Sequence, residues 1–503
     1  MSGAAPVPGF GPATIEAGDP RYESLLRGAN HRFVAKPDRV CVVTTTEQVV
    51  AVVADAVATG LRVTVRSGGH GYEGFTAADG GVLLDMSEMT AVYFDPSRRA
   101  FAIEPGATLG HVYRVLFKNW NVTIPGGECT EVGVGGHFAG GGYGPLSRRL
   151  GAVVDYLYAV EVVVVDADGT AHAVVATREP DDPHHDLWWA HTGGGGGNFG
   201  VVTRYWVRAP GATSAEPAEL LPQAPSRWRV AYCMWSWDAM TEESFTTVLR
   251  NVGTWFEHNS APGSRHAQHS ASFYASHRSG GALLLQAMVD DDLPDAAALL
   301  DEYFDAVCEG VEVEAMRTQS VKPWLYVAAY PNWGDPGTQD IRRAKLKAAY
   351  LRKGYDEDQL STVWEHLTRE GCEHNQFILI GYGGQVNTVA PDATATAQRD
   401  SVLKAAFMAV WADEAEDHEH ITRLREFYRD VYAKTGGVPV PGEASDGSYI
   451  NYPDIDLADP EWNTSAVPWS TLYYKDNYPR LRQIKGRYDP RNEFHHGLSV
   501  ELP

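Results

Sequence analysis

Two nucleophilic side chains, His70 and Cys129, sit inside glycine-rich stretches of this 503-residue chain. His70 belongs to Arg66-Ser67-Gly68-Gly69-His70-Gly71-Tyr72. Small residues after a strand make a turn of bare backbone N–H groups, able to cradle a pyrophosphate. The order is not GxGxxG opening a helix, so a Rossmann dinucleotide site is not indicated. Judged alone, Gly-Gly-His is more often a surface turn. Cys129 belongs to Pro125-Gly126-Gly127-Glu128-Cys129-Thr130-Glu131-Val132-Gly133-Val134-Gly135-Gly136, continuing to Gly140-Gly141-Gly142-Tyr143-Gly144. Packed helices and strands do not use glycine this way; the spacing predicts backbone passing close to something flat or phosphorylated. A cysteine there is either a small hydrophobe or, exposed among helix-breaking glycines, a reactive thiol. A third run, Gly193 to Gly197 with Asn198, Phe199 and Gly200, leads directly into the strand-like Val201-Val202 segment. Ser448-Tyr449-Ile450-Asn451-Tyr452-Pro453-Asp454 adds two phenols and an amide within four residues. It reads equally as a strand, because tyrosine favours strands.

The elements that must hold these groups follow from periodicity. Arg39–Thr44 reads as a strand, a helix capped by Thr45 or Thr46 ends at Gly60, and Arg62–Arg66 is a second strand running into the His70 turn. Together they read as a βαβ unit. Further strands are expected at Gly80–Met86, 99–107 and 199–208, a helix at 109–119, and a hairpin turning at Asp166–Gly169. Residues 1–36 read as an irregular lead-in. The Pro- and Ala-rich segment 210–225 reads as a boundary, and beyond it strands alternate with acidic amphipathic helices near 240–256, 293–308 and 357–370. Residues 469–494 read as a basic helix stopped before Asp489-Pro490. The fold class is α+β.

A net charge of −23 argues against nucleic acid as partner and against an anionic membrane surface. The five cysteines are irregularly spaced without CxxC, so neither a disulfide framework nor a zinc site is expected. The paired histidines His184-His185 and His495-His496 read as solvated loop residues rather than ligands. No metal is expected. The start carries no basic and apolar leader and no run of about 18 apolar residues occurs, so a cytoplasmic location is expected.

Taken together, the SGGH turn, the GGxCxxVGVGG loop and the YxNY and YDPRNEF segments resemble the berberine-bridge-enzyme-like family of FAD-linked oxidases. The resemblance spans nearly the whole chain. It implies a PCMH-type FAD domain of two α+β subdomains over residues 1–208 (core about 37–208). A substrate domain with an antiparallel sheet would occupy 209–445, and 446–503 would return to the FAD domain. It implies bicovalent FAD, with His70 on the flavin 8α carbon and Cys129 on C6. Arg66, Ser67, Gly68, Gly69, Gly71, Tyr72, Gly126, Gly127, Val132, Gly133, Gly135, Gly136, Gly140, Gly142, Gly197, Asn198, Gly200, Val201, Val202 and Asn451 would surround the cofactor. Tyr452 is the implied base, with Tyr449, Tyr382 and Tyr143 as its partners and Gln385 and Asn387 as candidates for substrate hydroxyls. A phenol with a pKa of about 10 needs a neighbouring donor or cation before it can act as a base. Val132 occupies the family's oxygen-gate position. The expected reaction is oxidation of an alcohol or hemiacetal on a glycosylated or polycyclic secondary metabolite, with O2 reduced to H2O2. The rivals are a carbohydrate oxidase, an oxidative ring-closing enzyme, and a flavin-binding protein without turnover. The partners would be the small-molecule substrate and O2, the protein being a monomer or homodimer.

Overall fold

Thr45 opens and Gly60 closes the first long helix. In the computed structural model, which describes residues 11–76, 78–329 and 343–503, the Thr45 hydroxyl accepts from the Gln48 N–H. Gly60 takes the left-handed conformation that ends α1 (Thr46–Thr59). α1 lies between two sheets. The first contains β1 (Ala13–Glu16), β2 (Arg39–Val42), β3 (Val63–Arg66) and β4 (Val82–Asp85) in the order β1-β2-β4-β3. β4 runs parallel to both β2 and β3, so it separates the two strands of the expected βαβ unit. β1 pairs antiparallel with β2, where the sequence predicts an irregular lead-in. Only Ile15 of its four residues is buried, so it carries no alternation to read.

The second sheet contains β5 (Val92–Asp95), β6 (Ala100–Ile103), β7 (Leu157–Val165), β8 (Ala171–Thr177) and β9 (Val201–Val207) in the order β5-β6-β9-β7-β8, all antiparallel. The β7–β8 hairpin turns where expected, with Gly169 at φ 89°. Val49, Val53 and Ala56 of α1 pack against Leu84 of the first sheet and Val163 and Val165 of the second. Between β6 and β7 run α2 (Leu109–Trp120) and the short α3 (Val134–Ala139). α3 corrects the reading of the second glycine stretch as wholly non-helical. Gly135 and Gly136 lie within it, and Tyr205 Oη holds it by donating to Gly135 O at 2.8 Å.

The third sheet has seven antiparallel strands: β10 (Arg227–Ser236), β11 (His269–Ser276), β12 (Ala282–Asp290), β13 (Met316–Pro323), β14 (Arg343–Leu351), β15 (Asn375–Gly381) and β16 (Leu403–Trp411). Their order is β13-β10-β12-β11-β15-β16-β14. Its helices α4 (Glu242–Asn259), α5 (Ala296–Cys308), α6 (Glu357–Thr368) and α7 (Asp417–Val431) stack against it. The sequence reading found β10, β11, β12 and β15 but not the other three. β13 is a largely exposed edge, and β14 is buried along its whole length yet carries Lys345 and Lys347, so neither alternates. The expected basic helix near the end is broken by Lys475 (φ 48°) before α8 (Tyr478–Tyr488). Residues 448–454 form a turn with Tyr452 N–H donating to Tyr449 O, not a strand.

That turn is fixed by a buried ion network. Lys345 Nζ donates to Glu73 Oε1 (2.6 Å) and Asp454 Oδ1 (2.7 Å), while Lys347 Nζ binds Asp454 and Asp456, the latter at 2.9 Å. Arg425 of α7 pairs with Asp456 at 2.6 Å. The network thus joins the loop after His70, strand β14, helix α7 and the residues following Tyr452. Removing one member of a buried pair leaves an uncompensated charge at about 3–5 kcal/mol. Asp454→Asn is therefore expected to destabilise the fold by that amount, read as a lower urea midpoint. A midpoint equal to the parent's would mean that the lysines find other partners.

Candidate active site

The two glycine stretches meet backbone to backbone. A Cβ on Gly68 would lie 2.4 Å from Gly133 N, and one on Gly133 only 2.1 Å from Ser67 Oγ. Ser67 Oγ and the Gly135 N–H both donate to Pro105 O, at 2.6 and 3.0 Å. This contact places His70 and Cys129 on one cavity of about 500 Å³. Ser67, Gly68, Gly69, Gly71 and Tyr72 line it from the first stretch, and Gly127, Val132, Gly133, Gly135 and Gly136 from the second. Gly197, Gly200, Val201 and Val202 line it from the third, with Tyr143, Tyr449, Asn451 and Tyr452 at the end closed by the 448–454 turn.

Other expected cofactor residues stand behind the wall. Arg66 pairs with Asp85 at 2.6 Å. Gly126 makes room for the Tyr113 hydroxyl, and Gly140 for the Asn451 amide. The Gly142 N–H donates to Tyr449 Oη at 3.1 Å. Asn198 is buried; its Nδ2 donates to Gly194 O at 2.9 Å, and its Oδ1 accepts from the Val500 N–H at 2.8 Å. Gln385 and Asn387, expected on a strand facing substrate, lie on a single 3₁₀ turn (Gly384–Thr388) outside the lining. Asn387 Nδ2 donates to Ser401 O at 3.0 Å. The Gly383 and Gly384 φ values of 83° and 62° end β15 before it reaches them. His496, expected in a solvated loop, stacks on Phe75 at 4.2 Å and borders the cavity. His184 caps a short helix and meets Tyr488 Oη at 2.9 Å.

The far wall is a face of the seven-stranded sheet. Opposed residues on antiparallel strands share a face, and the register sets Ser272, Ile380, Lys404 and Tyr350 in one row across β11, β15, β16 and β14. Ser270, Ser272, Tyr274, Ile378 and Ile380 line the cavity. The sequence reading missed these residues, although the even-numbered positions of β11 and β15 follow from the strands it did find. It also missed Lys404. Lys404 Nζ is fully enclosed, 3.2 Å from the ring centre of Tyr143 and 3.5 Å from that of Tyr449, and donates to Tyr350 Oη at 3.2 Å. Tyr382 and Tyr452 complete the cage, at 5.2 and 5.7 Å. No other lysine in the chain has five phenol rings about it among the described residues.

Electrostatics divides the phenols by role. Tyr449 Oη accepts from the Gly142 N–H and from Asn451 Nδ2 (2.9 Å), which fixes it as an anchor. Tyr143 Oη and Tyr452 Oη share one hydrogen bond of 3.0 Å, and both rings are open to the cavity. Burial pushes all of these phenols up, Tyr382 to about 12, and drives the Lys404 ammonium well down. Burial thus favours the uncharged form of each group. Handing one proton from a phenol to the amine creates a phenolate and an ammonium together, at no net charge, which costs less than either buried ion alone. Burial also lowers the His70 imidazole, leaving it neutral and nucleophilic. It raises the carboxyl of Glu128, which lines the cavity, to about 7.

These residues fit FAD. The glycine turn offers N–H groups for a pyrophosphate, and a Cβ on Gly136 would meet no atom within 4 Å and project into the cavity. A neutral imidazole and a thiol face the same space. Fold and cavity define an FAD-linked oxidoreductase. An FAD binding domain model matches residues 37–174, and a berberine and berberine like model matches 448–501. The aclacinomycin-N/aclacinomycin-A oxidase of Streptomyces galilaeus is 52% identical over 97% of this chain and 90% of its own length. The hexose oxidase of Chondrus crispus is 28% identical over 98% and 96%. A glycopeptide hexose oxidase solved with teicoplanin superposes with a TM-score of 0.94 at 50% identity, covering 98% of this chain and 100% of that one. The chain belongs to the berberine-bridge-enzyme-like family of FAD-linked oxidases, with the PCMH-type fold.

Proposed function

We propose that the protein oxidises an alcohol or hemiacetal carbon on a glycosylated or polycyclic secondary metabolite. FAD would be held covalently by both His70 and Cys129, and O2 would leave as H2O2. The observation that carries this reading is the Tyr143–Tyr452 pair, open to the cavity that His70 and Cys129 share and backed by the Lys404 cage. Bound FAD supplies a two-electron acceptor for the hydride of the substrate carbon. The relatives named for an aclacinomycin and for a glycopeptide hexose support the substrate class. The hexose oxidase supports free sugars as the second reading.

The chain's own work is proton handling and positioning. Tyr452 accepts the substrate hydroxyl proton as a phenolate, with Tyr143 donating to its oxygen and the Lys404 ammonium supplying the counter-charge. Tyr449 and Asn451 hold the turn that aims Tyr452. Ser270, Ser272 and Glu128 offer hydrogen bonds to substrate hydroxyls across the cavity. Val132, small at its place beside Cys129, leaves a path for O2.

Three outcomes test the reading. After acid precipitation the yellow colour should stay on the polypeptide, and His70→Ala with Cys129→Ala should release it; flavin retained by the double variant would place the attachment elsewhere. Tyr452→Phe should slow anaerobic bleaching of the flavin by about 10²–10⁴, the scale of lost acid–base catalysis. A rate near the parent's would pass the base role to another group. Lys404→Met removes the cation that stabilises the phenolate, so the base's pKa rises and the ascending limb of the pH–rate profile should move to higher pH. An unmoved limb would detach Lys404 from the proton transfer.

A further inference from the structure

Two cysteines that the reaction does not use lie together on the other face of the seven-stranded sheet. Cys233 of β10 and Cys308, the last residue of α5, have sulfurs 3.7 Å apart. The ladder explains the meeting. Tyr232 faces the cavity side, in the row that runs through Gln286 to Ser272 and Ile380. Its neighbour Cys233 therefore faces the helices, opposite Leu285 on β12 and Arg317 on β13. Cys233 is fully buried and Cys308 half-buried at the helix end. The Arg317 guanidinium reaches over the edge strand to the same helix, donating to Phe304 O at 3.2 Å and to Asp305 Oδ1 at 2.5 Å.

We infer that Cys233 and Cys308 are a peroxide-oxidised dithiol, in which Cys308 is the attacking sulfur and Cys233 the resolving one. Three features assign the roles. Cys308 is the member that solvent reaches. Its partner Cys233 and the Arg317 guanidinium both stabilise its thiolate, taking its pKa to about 6 against the opposing effect of burial and of Asp305. The same contact and burial hold Cys233 as a protonated thiol. In the first step the Cys308 thiolate attacks one oxygen of the hydroperoxide. A sulfur–oxygen bond forms, the O–O bond breaks, and hydroxide leaves and is protonated to water. In the second step Cys233 sulfur attacks the Cys308 sulfenic acid. The S–S bond forms and the hydroxyl leaves with the Cys233 proton as a second water. Two thiols have then lost two electrons to one peroxide.

The sulfurs must close from 3.7 Å to about 2.05 Å, a movement that the terminal turn of α5 can supply where it leaves the helix at Glu309. The bond would tie α5 to the sheet behind the cavity without entering the cavity. Its consequence is tolerance of oxidant: the half-buried Cys308 thiol is parked as a reversible disulfide instead of proceeding to sulfinic acid. The oxidant rests on the proposed release of H2O2, so the test supplies peroxide from outside.

The holoprotein, without substrate, is treated with H2O2, denatured, alkylated and mapped by tandem mass spectrometry. A Cys233–Cys308 crosslinked peptide is expected, with a mass loss of about 2 Da that dithiothreitol reverses. In Cys233→Ser, Cys308 should instead be trapped by dimedone as sulfenic acid, and in Cys308→Ser, Cys233 should remain fully alkylated. The oxidised parent should melt above the reduced one, because the bond constrains the unfolded chain. The inference is overturned if Cys308 goes to sulfinic acid without a crosslink, if both thiols survive peroxide that oxidises glutathione, or if Cys308 pairs with another cysteine. Because turnover is not needed, a failure here leaves the proposed oxidase reaction untouched, and a failure to detect peroxide from substrate leaves this pair untouched.

Discussion

Backbone contact between Ser67-Gly68 and Gly133 is the constraint on which the site depends. No side chain fits at Gly133, since a Cβ would fall within 2.1 Å of Ser67 Oγ. The contact joins the end of β3 in the first sheet to the start of α3, which the second sheet holds through Tyr205. His70 and Cys129 lie two and four residues from that contact. Their placement on one cavity is thus a property of two loops pressed together, with Pro105 O as their shared acceptor.

The opposite wall obeys a different logic. There the seven-stranded sheet sets side chains by register, and the row through Lys404 brings its amine among the tyrosines. Carboxylates are kept away from it: burial alone accounts for the lowered Lys404 amine. A few residues off, in β14, two lysines are saturated with carboxylates. The same side-chain type is thus held as a fixed ion by carboxylates in one place and, in the other, has its charged form disfavoured by burial. The saturated pair fixes the turn that presents Tyr452.

Much of the cofactor side was legible because glycine spacing is a local signal. The three glycine stretches, Tyr143 and the 449–452 pair were visible as residues that packed elements do not need. What the sequence hid was pairing. Nothing local to Val82–Asp85 says that it inserts between β2 and β3. Lys404 stands in LKAAFMAVW, which reads as a helix as readily as a strand. Its importance appears only when Tyr350 and Ile380 are set beside it by ladders that span 54 and 24 positions. Gln385 and Asn387 mislead for the converse reason: two polar residues following a clear strand look like its continuation until Gly383 and Gly384 turn the chain away.

The five-glycine run is closed by late residues. Lys485 Nζ donates to Asn198 O and to Phe494 O, at 2.7 and 2.6 Å, and the Val500 N–H caps the Asn198 amide. Chains emerge from the ribosome in order, so roughly 300 residues must be synthesised after Asn198 before its partners exist. Until then the loop has bare polar backbone and the adjoining hydrophobic cluster lacks Phe494. Ring closures over such separations are slow. The glycine loop therefore reaches its final hydrogen-bonded form only after Lys485, Phe494 and Val500 have joined it.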